Sequence, residues 1–234
     1  MSGGDRPFRV GVLTPMPSEQ RPVVKAMALR RGEKEHLYRG NVGDTEVVSG
    51  RTGMGTTLAR EATVRLLDTV EVDHVVVVGI AGGMGPSKVG DILFPEVVVN
   101  KHTGGEYKPT PLGDVSPRGK LMTHDDFDMG PDECRRFVDE GFIAVDMETA
   151  AVAEICEQRG VPWFAVRVIS DLVGVTPGDV IGLANPDGTP NVGASIRYLV
   201  TKPWRIPKLA RLAKESTQAA NAAAKAAAQA LQAR

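Results

Sequence analysis

The sequence has few cysteines, no long apolar run and no excess of charge of either sign, and each of these absences excludes a class of protein. Only two of the 234 residues are cysteine, Cys134 and Cys156, and they form no CxxC pair, which argues against a disulfide scaffold and predicts a cytoplasmic location. No apolar run approaches the roughly 18 residues of a membrane-spanning helix, and the N-terminus has no apolar signal core. Because the formal net charge is −1, we expect neither a nucleic acid nor a membrane as a partner.

Sequence motifs typical of metal or cofactor binding are also scarce. The histidines, at positions 36, 74, 102 and 124, lack the spacing of metal ligands, so we expect no metal. Gly53 and Gly55 follow a predicted strand and open a predicted helix, as glycines do in a dinucleotide-binding fold. However, Leu58 takes the place of the third glycine, and Asp73 precedes the next strand instead of ending it. We therefore expect no dinucleotide and no other cofactor.

What the sequence does contain is an alternation of β-branched runs with segments of helical spacing. The run VDHVVVVGI, residues 72–80, is typical of a central strand covered on both faces. Such alternation predicts an α/β fold with three layers, α/β/α, around a mixed, mostly parallel sheet. The other predicted strands are 9–13, 36–42, 45–49, 91–99, 142–145 and 163–170. The predicted helices are one that begins at Ser18 as N-cap and runs to about residue 30, then 56–68, 148–159, 192–200 and 207–214.

The domain boundary predicted from composition falls near the C-terminus. Residues 1–215 read as a single α/β domain, and residues 216–234 as an Ala-rich tail that is helical or disordered. Ten of the last sixteen residues are alanine, which favours a helix but buries little surface, so we expect a solvated extension. The segment 176–191 has turn chemistry and either covers a site or connects helices; we expect a connection.

Three carboxylates and one small-residue segment fall where predicted strands end. Glu19 follows the first strand, Glu148 follows FIAV, and Asp171 follows FAVRVIS. Each alone is typical of a helix cap or dipole partner, but the ends of neighbouring strands converge on one face of a sheet. The central strand ends in GIAGG, which includes Ala81 and Gly82. Such small residues are typical either of a ligand site or of a tight turn that needs positive φ.

Four blocks of the sequence resemble the nucleoside phosphorylase/nucleosidase superfamily, and most closely its 5′-methylthioadenosine/S-adenosylhomocysteine nucleosidases. They are VGVLTPMPSE (10–19), VVSGRTGMG (47–55), VVVVGIAGGMGPSKVGDIL (75–93) and AVDMETAAVAEICEQRGVPWFAVRVISD (144–171). The resemblance implies that superfamily's fold, a purine nucleoside as the substrate and a homodimer. It also implies hydrolysis of the N-glycosidic bond, which releases the free base and a ribose sugar without a cofactor.

The resemblance also implies a role for each carboxylate. Glu19 matches the base that orients or deprotonates the attacking water. Glu148 matches the acid that binds the ribose hydroxyls, and Asp171 matches the acid that hydrogen-bonds N7 of the purine. These residue types suit the chemistry, because a proton at N7 neutralises the departing base and a carboxylate binds hydroxyl groups strongly. The further substrate contacts that the resemblance implies are Met16, Met54, Ala81, Gly82, Phe127, Asp128, Met147, Arg167 and Ser170.

Some of these contacts carry a more specific implication. Phe127 matches an aromatic residue that stacks on the base, and Met16 and Met54 match positions near the sugar and the 5′ group. Arg167 matches a basic position close to the water, although a structural ion pair explains this arginine equally well. Asp128 departs from the family pattern, because the loop that contacts adenine is normally apolar there.

The acceptor of the sugar is predicted from two residues near the central glycine, Gly79. Phosphorylases of this superfamily carry an arginine two residues before this glycine and a hydroxyl residue just after it. Here those positions hold Val77 and Ile80. Because a phosphate dianion is costly to desolvate without a cation, we expect water as the acceptor. A purine nucleoside phosphorylase and a non-catalytic nucleoside-binding protein are the alternatives.

Overall fold

The computed structural model describes residues 6–32, 37–126, 129–174, 183–189 and 191–234, and it confirms the predicted α/β class. The strands are β1 (Arg9–Thr14), β2 (Arg30–Arg31), β3 (Tyr38–Val42), β4 (Thr45–Arg51), β5 (His74–Gly83), β6 (Ile92–Leu93), β7 (Val97–Asn100), β8 (Glu106–Tyr107), β9 (Lys120–Thr123), β10 (Phe142–Asp146) and β11 (Trp163–Leu172). The helices are α1 (Pro17–Ala26), α2 (Thr56–Thr69), α3 (Pro131–Asp139), α4 (Thr149–Gln158), α5 (Val192–Thr201) and α6 (Ile206–Gln232), with a 3₁₀ turn at Pro203–Arg205.

The strands form one mixed sheet with β5 at its centre. Their order is β2-β3-β4-β1-β5-β10-β9-β7-β8, and β11 pairs with both β5 and β6. Strands β1 and β11 run parallel to β5, whereas β10 runs antiparallel to it through Gly82 and Gly83. The carboxyl ends of β1, β5 and β11 therefore meet at one edge of the sheet.

Helices cover both faces of this sheet, because successive side chains of a buried strand point to opposite sides. Val76 and Val78 of β5 pack in a core with residues of α1 and α6. Val75 and Val77 pack on the other side, in a core with residues of α2 and α4. The result is the predicted α/β/α arrangement. Among the described residues, every helix is too short or too polar to span a bilayer.

The Ala-rich C-terminal segment is part of the core, so the expected solvated extension is wrong. It continues α6 to Gln232, and Ala219, Ala223 and Ala227 are each at most 2% exposed. Alanine buries little surface by itself, but its small size lets the helix backbone approach the sheet closely. A Cβ placed on Gly113 would lie 2.5 Å from the carbonyl oxygen of Ala230, which shows how tightly the segment packs.

Other boundaries differ from the predictions for local reasons. Helix α1 has Met16 rather than Ser18 as its N-cap, and it ends at Ala26. The predicted strand 91–99 is divided into β6 and β7, which are separated by Phe94-Pro95-Glu96, because proline cannot donate a hydrogen bond to a neighbouring strand. The predicted loop 101–120 contains the two-residue strand β8 and the first residue of β9. Residue 36, predicted to start a strand, lies outside the described residues.

Candidate active site

A cavity of about 220 Å³ opens where β1, β5, β10 and β11 end. The three carboxylates singled out in the sequence, Glu19, Glu148 and Asp171, all line it. The other described lining residues are Pro15, Met16, Met54, Ile80, Ala81, Gly82, Val145, Asp146, Met147, Ser170 and Ala184. Four carboxylates thus share one small space, and none of the described residues lining it is a lysine or arginine.

Glu19 enters the cavity from the first turn of α1. Its Oε2 accepts a hydrogen bond from the backbone N–H of Met16 at 2.9 Å, as a glutamate at the third helical position does in a capping box. Its Oε1 accepts from the N–H of Ile80, in β5, at 2.8 Å. The residue is only 2% exposed, and this burial raises the pKa of Glu19 to about 7, although Arg167 and the two backbone donors oppose the rise.

Glu148 immediately precedes α4 and joins that helix to α2. Its Oε1 accepts a hydrogen bond from the N–H of Gly55 at 3.0 Å, and its Oε2 lies 3.5 Å from Nη2 of Arg167. Burial raises the pKa of Glu148, and the nearby carboxylates of Asp146 and Glu19 raise it further, whereas Arg167 lowers it. Two buried carboxyl groups with raised proton affinity therefore face the same cavity, as in many sites of acid–base catalysis.

Asp171 reaches the cavity through an irregularity near the end of β11. The register against β5 shifts between Ile169 and Asp171, so that Asp171 stands opposite Gly82. A bulge of this kind re-aims side chains, and here both Ser170 and Asp171 line the cavity. The hydroxyl of Ser170 donates a 2.6 Å hydrogen bond to Oδ1 of Asp171, which fixes the orientation of the carboxylate.

Arg167 lies behind the cavity and is completely buried. Its Nη2 is 2.6 Å from Oδ2 of Asp146, and its Nη1 donates to the carbonyl oxygen of Ile80 at 3.2 Å. Space for it is provided by Gly79, because a Cβ at that position would overlap Nη1 of Arg167 and lie 2.5 Å from Oε1 of Glu19. The arginine therefore serves as a buried ion-pair partner and stands next to the group implied to activate water.

Asp146 is a site residue that the sequence reasoning missed. It ends β10 just as Asp171 lies near the end of β11, and this position at a strand end was the available signal. Oδ1 of Asp146 accepts a 2.7 Å hydrogen bond from the hydroxyl of Thr123, and Oδ2 accepts from the hydroxyl of Thr149. Its partners come from β9, α4 and β11, which no local pattern in the sequence could bring together.

The cavity brings together most of the further contacts that the resemblance implied. Met16, Met54, Ala81, Gly82, Met147 and Ser170 line it together with the three carboxylates. Ala81 and Gly82 have no positive φ, so the tight-turn interpretation of GIAGG is wrong at these two positions. Arg167 lies behind the cavity and is not part of its lining, and Phe127 and Asp128 lie outside the described residues.

Part of the segment after Asp171 covers the cavity, so the expectation that it only connects helices is wrong for residues 183–189. Ala184 lines the cavity, and the carbonyl oxygen of Pro186 accepts a 2.9 Å hydrogen bond from the N–H of Met54. Gly188 has φ +74° and packs closely on Met16. A Cβ at position 188 would lie 2.7 Å from Cγ of Met16. This short segment thus contacts Met16 and Met54, two of the three methionines that line the cavity.

The N-terminus of α2 does not offer its amides to a phosphate group. Gly53 and Gly55 have φ of 86° and 92°, which explains both glycines by backbone conformation. The N–H of Gly55 is bonded to Glu148, and the N–H of Thr56 donates to Asp125 at 2.7 Å. A dinucleotide's pyrophosphate would compete with two carboxylates there. Within the described part of the chain, no cluster of side chains is suited to a metal ion.

The chain is similar to known proteins in both sequence and fold. The profile of the phosphorylase superfamily matches residues 9–117 and 109–231. A 5′-methylthioadenosine/S-adenosylhomocysteine nucleosidase of an Exiguobacterium species is 31% identical over 170 residues, which cover 58% of this chain and 72% of that protein. The corresponding protein of Tolumonas auensis is 28% identical over 59% of this chain and 74% of its own length.

Solved structures with the same fold are less similar in sequence. The 5′-methylthioadenosine nucleosidase of Arabidopsis thaliana superposes with a TM-score of 0.74 at 17% identity, over 97% of each chain. The futalosine hydrolase of Helicobacter pylori superposes with a TM-score of 0.70 at 16% identity, over 95% of this chain and 97% of its own. At these identities the likeness shows the fold and leaves the substrate to the chemistry of the site.

Proposed function

This chain belongs to the phosphorylase superfamily, and we propose that it hydrolyses the N-glycosidic bond of purine nucleosides, with 5′-methylthioadenosine and S-adenosylhomocysteine as its substrates. Relatives of about 30% identity bear the name of the nucleosidase that acts on these two compounds. Such an enzyme releases adenine and a ribose sugar and contributes to the salvage of methionine.

The observation that carries the proposal is the cavity lined by four carboxylates and no described cation. A phosphorylase must desolvate a phosphate dianion, which requires positive charge near the sugar. Here Val77 is buried in the core, Ile80 presents an apolar side chain, and Arg167 is already paired with Asp146. The carboxylates would repel a phosphate dianion, but they do not repel a neutral water molecule. The geometry therefore favours hydrolysis over phosphorolysis.

Three of the four carboxylates then each have one part in the reaction. Glu19, whose pKa is about 7, accepts a proton from water at neutral pH while the water oxygen bonds to C1′ of the sugar. The C1′–N9 bond breaks, and its electron pair moves into the purine. Asp171 donates or shares a proton at N7, which neutralises the base as it leaves. Glu148 accepts hydrogen bonds from the ribose hydroxyls.

The segment 183–189 and the methionines limit what the 5′ position holds. Met16 and Met54 are apolar and polarizable, which suits a thioether substituent better than a free hydroxyl group. Both are held from outside by the segment, through Gly188 and Pro186. The preference for a 5′-thio group follows from these contacts.

The experiment is a panel of purine nucleosides incubated with the purified protein and analysed for free base. We expect 5′-methylthioadenosine and S-adenosylhomocysteine to be cleaved faster than adenosine, and adenosine faster than inosine. Release of base from none of the four would contradict the proposed function. Equal rates for adenosine and 5′-methylthioadenosine would contradict the role of the methionines.

We further propose that the enzyme acts as a homodimer in the cytoplasm. A largely apolar groove of about 570 Å³ runs between β4 and α2, and Leu37 and Leu58 contribute to it. A second copy of the chain packed there would cover this surface, as the resemblance to dimeric nucleosidases implies. Sedimentation equilibrium tests this proposal. We expect the mass of a dimer for the parent protein and the mass of a monomer for Leu58→Asp. The mass of a monomer for the parent protein would contradict the proposal.

A further inference from the structure

Arg167 is the cation of a buried cluster that contains three carboxylates, and it lies closer to Asp146 than to Glu148. Its Nη2 lies 2.6 Å from Asp146 but 3.5 Å from Glu148. The hydroxyl of Thr149 accepts hydrogen bonds from both Nε and Nη2 of Arg167, at 3.2 and 2.9 Å, and itself donates to Asp146. The arginine is thus tied to Asp146 directly and through a bridging threonine.

Asp146 is in turn surrounded by hydrogen-bond donors and by the guanidinium of Arg167. Its oxygens accept hydrogen bonds from the hydroxyls of Thr123 and Thr149 and from the N–H of Thr149, in addition to the ion pair with Arg167. Thr123 is itself fixed, because its oxygen accepts from the N–H of Ala150 at 2.9 Å. All of these partners donate, and an ionised carboxylate is the form that only accepts.

We infer that Asp146 is a positioning residue, which fixes Arg167 beside Glu19 and Glu148 through a short ion pair, offsets part of its positive charge and thereby sets the pH at which the site can work. The inference rests on the proposed function, since it concerns the groups that activate water and bind ribose. Asp146 acts through the arginine, and the chemistry remains with Glu19, Glu148 and Asp171.

The charges that face Glu19 and Glu148 support this role. Around Glu19 they are Arg167 from β11, Asp146 from β10 and Glu148 from the start of α4. Burial is the main reason that both glutamates have a raised pKa, and Arg167 opposes it. Asp146 raises the pKa of both, because it adds negative charge to the cluster. With Asp146 neutral, the same arginine would stabilise the ionised glutamates more strongly.

The test is the Asp146→Asn variant, followed by its pH profile. Cleavage should require ionised Glu19, so kcat/KM of the parent protein should rise with pH through about 7. In the variant we expect this acid limb to move to lower pH by at least about one unit, the usual scale for a change in one neighbouring charge. The asparagine side chain keeps the size of aspartate and one acceptor oxygen for Arg167.

Thr123→Val is the matched control, because it removes one hydrogen bond to Asp146 and leaves every charge in place. If Asp146 acts only through structure, both variants lose thermal stability and neither moves the acid limb, and that result overturns the inference. If the parent protein itself releases no base from the nucleoside panel, it is the proposed function that fails.

A measurement on the unsubstituted protein covers the case in which Asp146→Asn does not fold. Infrared difference spectra across pH 6 to 8, with and without ¹³C-labelled glutamate, identify which carboxyl groups carry protons. We expect protonated carboxyl bands that shift on glutamate labelling and lose intensity as the pH rises. Absence of any protonated glutamate band in this range would overturn the inference independently of activity.

Discussion

At the scale of single residues, the site is defined by the hydrogen bonds and charges that surround each carboxylate. Glu19 accepts two backbone N–H groups, Glu148 accepts one and stands near an arginine, and Asp171 accepts a serine hydroxyl. The sequence indicated all three because each lies at or shortly after the end of a predicted strand. Asp146 also ends a strand, but its role was not predictable, because it depends on Thr123 and Arg167, which reach it only in the folded chain.

Replacement of Asp171 by asparagine tests the group assigned to the leaving base. The substitution keeps the shape and the hydrogen bond from Ser170 but removes the acid. We expect purine nucleoside cleavage to fall by at least ~10², the usual scale for loss of a general acid. A substrate whose leaving group needs no proton should be much less affected. Parent-like cleavage of purine nucleosides by the variant would show that the assignment is wrong.

Glu19→Gln and Glu148→Gln should differ in how they affect binding and turnover. Glu19 is assigned to water, so its variant should lose turnover and still bind a nucleoside analogue tightly. Glu148 is assigned to the ribose in both the ground state and the transition state, so its variant should lose both. Calorimetric titration with the analogue, beside steady-state kinetics, measures the two effects. Equal losses of analogue affinity would refute this division of roles.

At the scale of elements, the strands were predicted better than the segments that pack over them. The β-branched run of β5 is enough to predict a central strand, because few environments other than a strand covered on both faces accommodate such a run. The alanines of α6 carry no such signal, since their burial depends on how closely α1 and the sheet approach. The segment 183–189 is similar, because its contacts with Met16 and Met54 are long-range.

Ala223→Leu tests whether the C-terminal helix is part of the core. Ala223 is completely buried, so the larger side chain must displace its neighbours, and overpacking of this kind costs about 1–3 kcal/mol. Ala213→Leu, at an exposed position of the same helix, is the matched control. Urea unfolding measures both. Equal free energies of unfolding for the parent and Ala223→Leu would mean that the helix does not pack on the sheet in solution.

At the scale of the whole molecule, the order of strands explains why residues far apart in the sequence form one site. Glu19, Glu148 and Asp171 follow or end strands whose ends lie at the same edge of the sheet. The sequence predicted this convergence from the alternation of strands and helices alone. It could not predict the antiparallel pairing of β10 with β5, which depends on the close approach of Gly82 and Gly83 to a neighbouring strand.

The stability of the whole molecule should depend on His74, at the start of β5. Burial lowers the pKa of His74 to about 4, although a hydrogen bond with the backbone of Thr110 opposes this. The unfolded chain, with a histidine pKa of about 6.5, then binds a proton that the folded chain excludes. Stability is therefore lost as the pH falls from about 6.5 to about 4, by at most about 1.4 kcal/mol per pH unit.

Urea unfolding at several pH values checks this prediction. In His74→Gln the free energy of unfolding should depend less steeply on pH over that range. His102→Gln removes a histidine at an exposed position and is the matched control. The same slope in the parent and in His74→Gln would mean that His74 is not buried as a neutral side chain.

The central claim is that water rather than phosphate accepts the sugar. The most direct test measures the rate of base release while phosphate is added in increasing concentration to a buffer that otherwise contains none. The cavity, with four carboxylates and no described cation, predicts free ribose sugar as the product and a rate that does not change with phosphate. A rate that saturates with phosphate, together with sugar 1-phosphate as the main product, would contradict the account and identify the protein as a phosphorylase.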